Sequence, residues 1–217
     1  MEFLSQELQD YCDAHTDQEP EVLAKINRET HLKVLRARML SGHYQGRLLS
    51  FLSKLTRPSR ILEIGTYTGY SAICLAEGLA ADGHMITIDC NEELEDIVKK
   101  NIQLANMSNK IEFRMGDARE ILPQLEGPFD LVFIDADKVN YSTYYGMIFS
   151  KITLGGLILA DNVLWSGKVI EKNLKSNDED TRALLTFNDL LAKDDRVEKI
   201  LLPVRDGIFM ARKIKHS

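Results

Sequence analysis

Two apolar runs, FDLVFIDADK (Phe129 to Lys138) and GGLILADNVLWSG (Gly155 to Gly167), each end in acidic or amide side chains: Asp135 in the first, Asp161 and Asn162 in the second. Short Val/Ile/Leu/Phe-rich runs bounded by turn residues suit strands covered on both faces, and ligands of open α/β sheets gather beyond the carboxyl ends of such strands. Three oxygen donors, two of them charged, would seat a hard divalent cation, with water or substrate in its remaining positions. The competing reading is helix capping, which is favoured for any one of these residues taken alone. The pairing of two acid-terminated runs is what points to metal.

A second chemical signal lies in RILEIGTYTGYSAICLA, Arg60 to Ala76, where a buried strand enters a glycine-containing turn and then a helix. Gly65 and Gly69 would let the backbone approach a small ligand without a side-chain clash. The residues after Gly65 are Thr66, Tyr67 and Thr68, so the spacing departs from the dinucleotide pattern G-x-G-x-x-G and disfavours a pyrophosphate site. Asp89, at the end of the strand in HMITIDCNEE, is placed to accept the hydroxyl protons of a ribose. Asp117, in EFRMGDARE, would read an adenine amino group. Each acid alone is more often a cap, but the ordered series fits an adenosine-bearing ligand.

The elements that must hold these residues alternate between strand and helix from about Arg60 onward, the pattern of a parallel sheet flanked by helices. The predicted strands are Arg60–Glu63, His84–Asp89, Ile111–Met115, Leu131–Asp135, Leu157–Asp161, Val197–Pro203 and Gly207–Arg212. Only Val204, Arg205 and Asp206 separate the last two, too few for a helical crossover, so an antiparallel hairpin should end a seven-stranded mixed sheet. Before the sheet the pattern is helical, with apolar positions Phe3, Leu4, Leu8 and Tyr11, then Val22, Leu23 and Ile26, then Leu48, Leu49, Leu52 and Leu55. These helices would cover the core, or build a substrate wall and a dimer contact. The acids Glu92, Glu93, Glu95 and Asp96, followed by Lys99 and Lys100, read as the solvated face of a helix. The polar stretch Lys168 to Asp180 reads as a mobile loop near the site or a surface insertion.

With 217 residues, 44% of them hydrophobic, the chain can bury a full core as one domain, with N-terminal helices over 1–56 and the binding core over 57–217. No apolar run is long enough for a membrane span, and the start MEFLSQELQDYCDAHTD lacks the pattern of a signal peptide, so a soluble cytoplasmic protein is expected. Cys12, Cys74 and Cys90 show no C-x-x-C spacing, which argues against a disulfide framework or a zinc site. No G-x-S-x-G elbow is present, so hydrolase chemistry has little support. A net charge of −6 weighs against nonspecific nucleic-acid binding, although a local basic patch is compatible with it.

The strings ILEIGTYTGYSA, ITIDCNEE, GDA, FDLVFIDADKVNY and LILADNVLWSGKV together resemble the cation-dependent class I O-methyltransferases, the caffeoyl-coenzyme A and catechol O-methyltransferase group. The resemblance is strongest from Ile61 to Val169, and RMLSGHYQGRLL before the core is similar too. It implies a Rossmann-like fold, with helices on both faces of the sheet and extra N-terminal helices. It also implies S-adenosylmethionine as methyl donor, with Glu63 and Gly65 under its amino-acid part, Ser71 near its carboxylate and Tyr67 among the residues that bind it. Asp89 would hold the ribose, Asp117 and Ala118 would flank the adenine, and Met39 and Ser41, in the segment Met39 to Gly42, would close over the methionine portion. Asp135, Asp161 and Asn162 would hold magnesium or a similar cation, Asp135 also bordering the cofactor, and Lys138 would be the general base. Anywhere but beside this acidic strand end, Lys138 would read as an ordinary surface lysine. Trp165, the only tryptophan, would stack on an aromatic substrate, or else pack in the fold. Tyr141 and Tyr144 read as core residues.

The chemistry implied is methylation of one hydroxyl of a catechol-like phenolic, such as a caffeoyl compound, by a homodimer. The alternative is methylation of a hydroxylated uridine in tRNA. A phenolic hydroxyl with an unperturbed pKa of about 10 is a poor nucleophile at neutral pH, so a cation and a base would each have work to do.

Overall fold

The structure is a computed structural model that describes residues 5–216. Phe3 and Leu4 of the N-terminal helical pattern lie outside the described residues. The chain forms two compact units that meet in sequence at Asp117 and Ala118.

The first unit begins with α1 (Gln6–Ala14), whose first turn is capped by the Ser5 hydroxyl accepting from the Leu8 amide at 3.4 Å, and α2 (Glu21–Lys33), which follows Pro20. Helix α3 (Gly42–Thr56) completes the helical prelude. Strands β1 (Arg60–Ile64), β2 (His84–Asp89) and β3 (Ile111–Met115) then alternate with α4 (Tyr70–Ala76) and α5 (Glu95–Leu104). All three strands are parallel, in the order β3-β2-β1, with Glu63 beside Thr87 and Ile86 beside Glu112. Helix α5 carries its acids first, and Lys99 pairs with Glu95 one turn earlier at 2.6 Å, the solvated face expected.

The second unit contains the short α6 (Ala118–Ile121), β4 (Phe129–Ile134), α7 (Tyr141–Phe149), β5 (Ile152–Asp161), α8 (Glu179–Lys193), β6 (Val197–Leu202) and β7 (Ile208–Lys213). Its strand order is β4-β5-β7-β6, with β4 parallel to β5 and the last two forming the expected antiparallel hairpin. Phe129, Phe133, Tyr141, Tyr145 and Phe187 form the bulky part of its core, and the Tyr141 and Phe187 rings meet edge to face at 5.3 Å.

All seven predicted strands are found among the described residues, with corrected ends. Strand β5 begins at Ile152 rather than Leu157, because Gly155, at φ 86°, sits within the strand instead of ending it, and the pairing with β4 shifts register between Phe129 and Leu131. Strand β4 ends at Ile134, leaving Asp135 one residue beyond. The polar stretch after Lys168 is not wholly loop: Asp178 accepts from the Thr181 amide and hydroxyl and so starts α8 at Glu179. Among the described residues no helix is long and apolar enough to cross a membrane.

One polar cluster ties α3 to the end of α4. Glu77 accepts from both terminal nitrogens of Arg47 at 3.0 and 2.7 Å, from the Ser50 hydroxyl at 2.6 Å and from Lys54 at 2.9 Å. Burial alone would raise the Glu77 carboxyl, but these donors outweigh it and hold the group at about 2, against 4.5 ordinarily. A depressed acid contributes stability that is complete above the unfolded value and is lost as pH falls towards the folded one. Glu77 is only 16% exposed, so the contribution is about 3 kcal/mol, lost between about pH 5 and pH 2. Glu77→Gln should therefore lower urea stability at pH 7 by about 3 kcal/mol and flatten the acid limb of the stability curve. Equal acid limbs in the two proteins would remove Glu77 from the account.

Candidate active site

The first unit offers a cradle after β1. Gly65 and Gly69 take φ 99° and 82°, and Tyr67 between them is left-handed at φ 51°. The turn is held by Asp89, which accepts the Thr66 and Tyr67 amides at 3.0 and 2.7 Å on one oxygen and the Asn91 amide at 2.9 Å on the other. A carboxylate has about four acceptor positions, so roughly one remains for a ribose hydroxyl without rearrangement. The Gly116 amide donates to the Asp89 carbonyl at 2.9 Å, which brings the residue preceding Asp117 to the same strand end.

Beneath the turn, Glu63 is fully buried and accepts from the Thr87 hydroxyl at 2.5 Å, so the Thr66 hydroxyl, also 2.5 Å from Thr87, donates to Thr87 in turn. An acceptor-only carboxylate at the chain's end fixes the direction of both hydroxyls. Ser71 is buried on α4, and the Tyr67 hydroxyl donates at 3.0 Å to the Leu35 carbonyl, tying the turn to the segment that leads to half-exposed Met39 and buried Ser41. A buried carboxylate, left-handed glycines and a strand-end acid fit the amino-acid and ribose parts of an adenosyl ligand.

The second unit gathers the remaining candidates. Ile134 of β4 lies beside Ala160 of β5 in parallel register, so Asp135 and Asp161 are the next residues on neighbouring strands. Side chains one step beyond a paired position leave the sheet on the same face. Asp161 is 3% exposed and accepts the Asn162 amide at 2.7 Å, and Asn162 is left-handed at φ 58°. Among the described residues no group of three or more His, Cys, Asp or Glu gathers as a metal centre; this set reaches three oxygen ligands only through the Asn162 amide. Two carboxylates and an amide at rigid strand ends fit a hard cation.

Lys138 is 7% exposed, unlike a surface lysine. Its amine donates to Asp135 at 3.1 Å and to the Tyr141 hydroxyl at 2.7 Å, and stands 5.8 Å from the centre of the half-buried Trp165 ring. Tyr141 is a core residue as expected, but its hydroxyl also does site work, lying 3.1 Å from the Asp161 carbonyl and 3.3 Å from that of Ile134. Burial first, then the charges of Asp135, Asp161 and Asp137, push its phenol well above the ordinary value, so it stays protonated and presents its oxygen to Lys138. Tyr144 likewise donates to Asp137 at 2.5 Å. The spacing of Lys138 and Tyr141, three residues apart at a helix start, is the signal that could have linked them.

A family profile described as O-methyltransferase matches residues 13–214. The chain is 37% identical over 211 residues to caffeoyl-CoA O-methyltransferase 1 of Zea mays, covering 91% of this chain and 80% of that protein. Among solved structures it is similar to the O-methyltransferase from Bacillus cereus in complex with SAH, at 32% identity and TM-score 0.85, over 95% of this chain and 97% of that one. It is also similar to the SAH-bound methyltransferase PaMTH1 of Podospora anserina, at 28% identity and TM-score 0.88, over 98% and 97% of the two chains. These likenesses extend over nearly the whole length, through both acid-terminated strands and the glycine turn, and on them the chain belongs to the O-methyltransferase family.

Proposed function

We propose that this O-methyltransferase moves the methyl group of S-adenosylmethionine to one hydroxyl of a catechol-like phenolic, using a divalent cation, with magnesium the first choice. The observation that carries the reading is Lys138: a buried amine held by Asp135 and Tyr141 at the end of β4, beside the Trp165 ring. Its donation to Asp135 and to the Tyr141 hydroxyl fixes where the amine faces, and a lysine so held is placed to take up a hydroxyl proton.

The adenosyl ligand would be held by Glu63, Gly65, Tyr67, Ser71, Asp89, Asp117 and Ala118, with Met39 and Ser41 over its methionine part and Asp135 at its border. When bound, it supplies a methyl group already activated on a sulfonium. Asp135, Asp161 and Asn162 would hold the cation, which supplies Lewis acidity towards an adjacent pair of hydroxyls. Trp165 gives the acceptor ring a flat apolar face, and Tyr141 keeps Lys138 aimed. Much of the remaining acceleration would come from these residues holding donor and acceptor together. The name of the maize relative, a caffeoyl-CoA enzyme, supports a phenolic acceptor. Exposed Leu8 and Tyr11 on α1, with Phe51 and Leu55 on α3, support the homodimer reading, and we place the protein in the cytoplasm.

The test is transfer from labelled S-adenosylmethionine to a panel of catechols, with magnesium and with excess EDTA, beside unmodified bacterial tRNA. Magnesium-dependent labelling of a catechol by a species of twice the chain mass is the expected result. Labelling of tRNA alone would replace the acceptor class, EDTA-insensitive turnover would remove the cation, and a monomeric mass would dismiss the dimer.

A further inference from the structure

Four residues around the candidate acceptor site have left-handed backbones: Asn162, Trp165, Ser166 and Gly167, at φ 58°, 47°, 54° and 81°. Non-glycine residues hold that conformation only where the surroundings over-determine it. Here the surroundings are the tip of the β6–β7 hairpin, a segment to which the sequence assigned no role. The Val163 amide donates to the Gly207 carbonyl at 3.1 Å and the Leu164 amide to the Asp206 carbonyl at 2.9 Å. The Ser166 amide, in the middle of the turn, donates to the Asp206 carboxylate. Asn188 of α8 completes the anchorage by donating to the Val163 carbonyl at 2.9 Å.

The hairpin tip is shaped for this contact. Gly207 takes φ 89°, and a Cβ there would fall 2.4 Å from the Leu164 side chain, so only glycine lets the tip close on the turn. Burial pushes the Asp206 carboxyl up, while the Ser166 amide and the charge of Lys138 pull the other way, which places Asp206 within electrostatic reach of the candidate base.

We propose that Asp206 is a positioning residue for the methyl acceptor: by holding the left-handed Trp165–Gly167 turn through the Ser166 amide, it fixes the Trp165 ring beside Lys138. The proposal rests on the catechol methyltransferase reading for its kinetic part only. The hairpin tip, rather than the acid-terminated strands, then sets how tightly the acceptor ring is seated, and sequence changes there would alter acceptor choice without touching the cation or methyl-donor residues.

Because Trp165 is the only tryptophan, its fluorescence reads the turn directly. In Asp206→Ala, acrylamide quenching of Trp165 should rise about twofold as the turn loosens. The catechol KM should rise about tenfold, with kcat and the S-adenosylmethionine KM within about threefold of wild type. Asp206→Asn, which keeps an acceptor oxygen, should restore both readouts, whereas Asp206→Glu, which keeps the charge but displaces it, should behave like the alanine variant. That variant also decides the matter should Asp206→Ala not fold. Unchanged quenching in the alanine and glutamate variants would overturn the proposal, as would a fall in kcat with no change in acceptor KM. If wild-type protein methylates no catechol, the functional reading fails, while the quenching comparison, which needs no acceptor, still decides whether Asp206 holds Trp165.

Discussion

Lys138→Met should lower kcat for methyl transfer by about 10³-fold, the middle of the range for loss of a positioned general base, or roughly 4 kcal/mol of barrier. Methionine fills much of the same buried volume, so the fold should survive. The Tyr141 hydroxyl loses one donor but still has the Asp161 and Ile134 carbonyls within reach, and the two strand ends remain tied through it. Affinity for S-adenosylmethionine should be unaltered, because the candidate contacts in the glycine turn are untouched. Cation affinity should hold or tighten, since the substitution removes a positive charge 3.1 Å from Asp135. Rapid-quench single turnovers with enzyme in excess, alongside calorimetric titrations of cation and cofactor, separate these quantities. A kcat within threefold of wild type would leave Lys138 a structural lysine, and a large fall in cation affinity would mean that its role is to organise the acids.

The parts legible in the sequence are those where local pattern and tertiary role agree. The run Leu131–Ile134 is apolar at every position because β4 is covered on both faces, and its acid-terminated end stood out for the same reason. The hairpin followed from loop length alone. Pattern and role part at Gly155 and Gly156, which look like a turn but lie inside β5, where an irregularity in the pairing with β4 accommodates a left-handed glycine within a strand. Asp178 sits in a run of polar residues, and only its spacing to Thr181 marks it as a helix cap. The site roles that local pattern does not carry act through contacts distant in sequence. Asp206 meets Ser166 across 40 residues, and Tyr141 meets Asp161 across 20, distances at which one sequence carries no pairing signal. Asp89 shows the opposite case. Its place in the sequence suits a ribose ligand, and in the structure it holds three backbone amides of the first unit.

Asp161→Asn separates the cation's energetics from catalysis. The substitution preserves shape and leaves an oxygen to accept the Asn162 amide, but it removes one of the two carboxylate charges among the candidate ligands. Affinity at oxygen-donor sites depends steeply on the number of charged ligands, so magnesium should bind weaker by about 10²-fold, with turnover falling in step and partly recovering at high magnesium. Stability supplies a readout independent of turnover. A ligand at 100 times its dissociation constant stabilises by about 2.7 kcal/mol, which for a chain of this size raises Tm by roughly 5–10 °C. Wild-type protein should show that rise on adding magnesium, and Asp161→Asn should lose it at the same concentration. Without cation the variant should melt no lower than wild type, because it removes one of two like charges carried at neighbouring strand ends. A magnesium-induced rise of equal size in both proteins would remove Asp161 from the cation site, and a cation-free variant destabilised by several degrees would show instead that the carboxylate serves chiefly to hold the turn at Asn162.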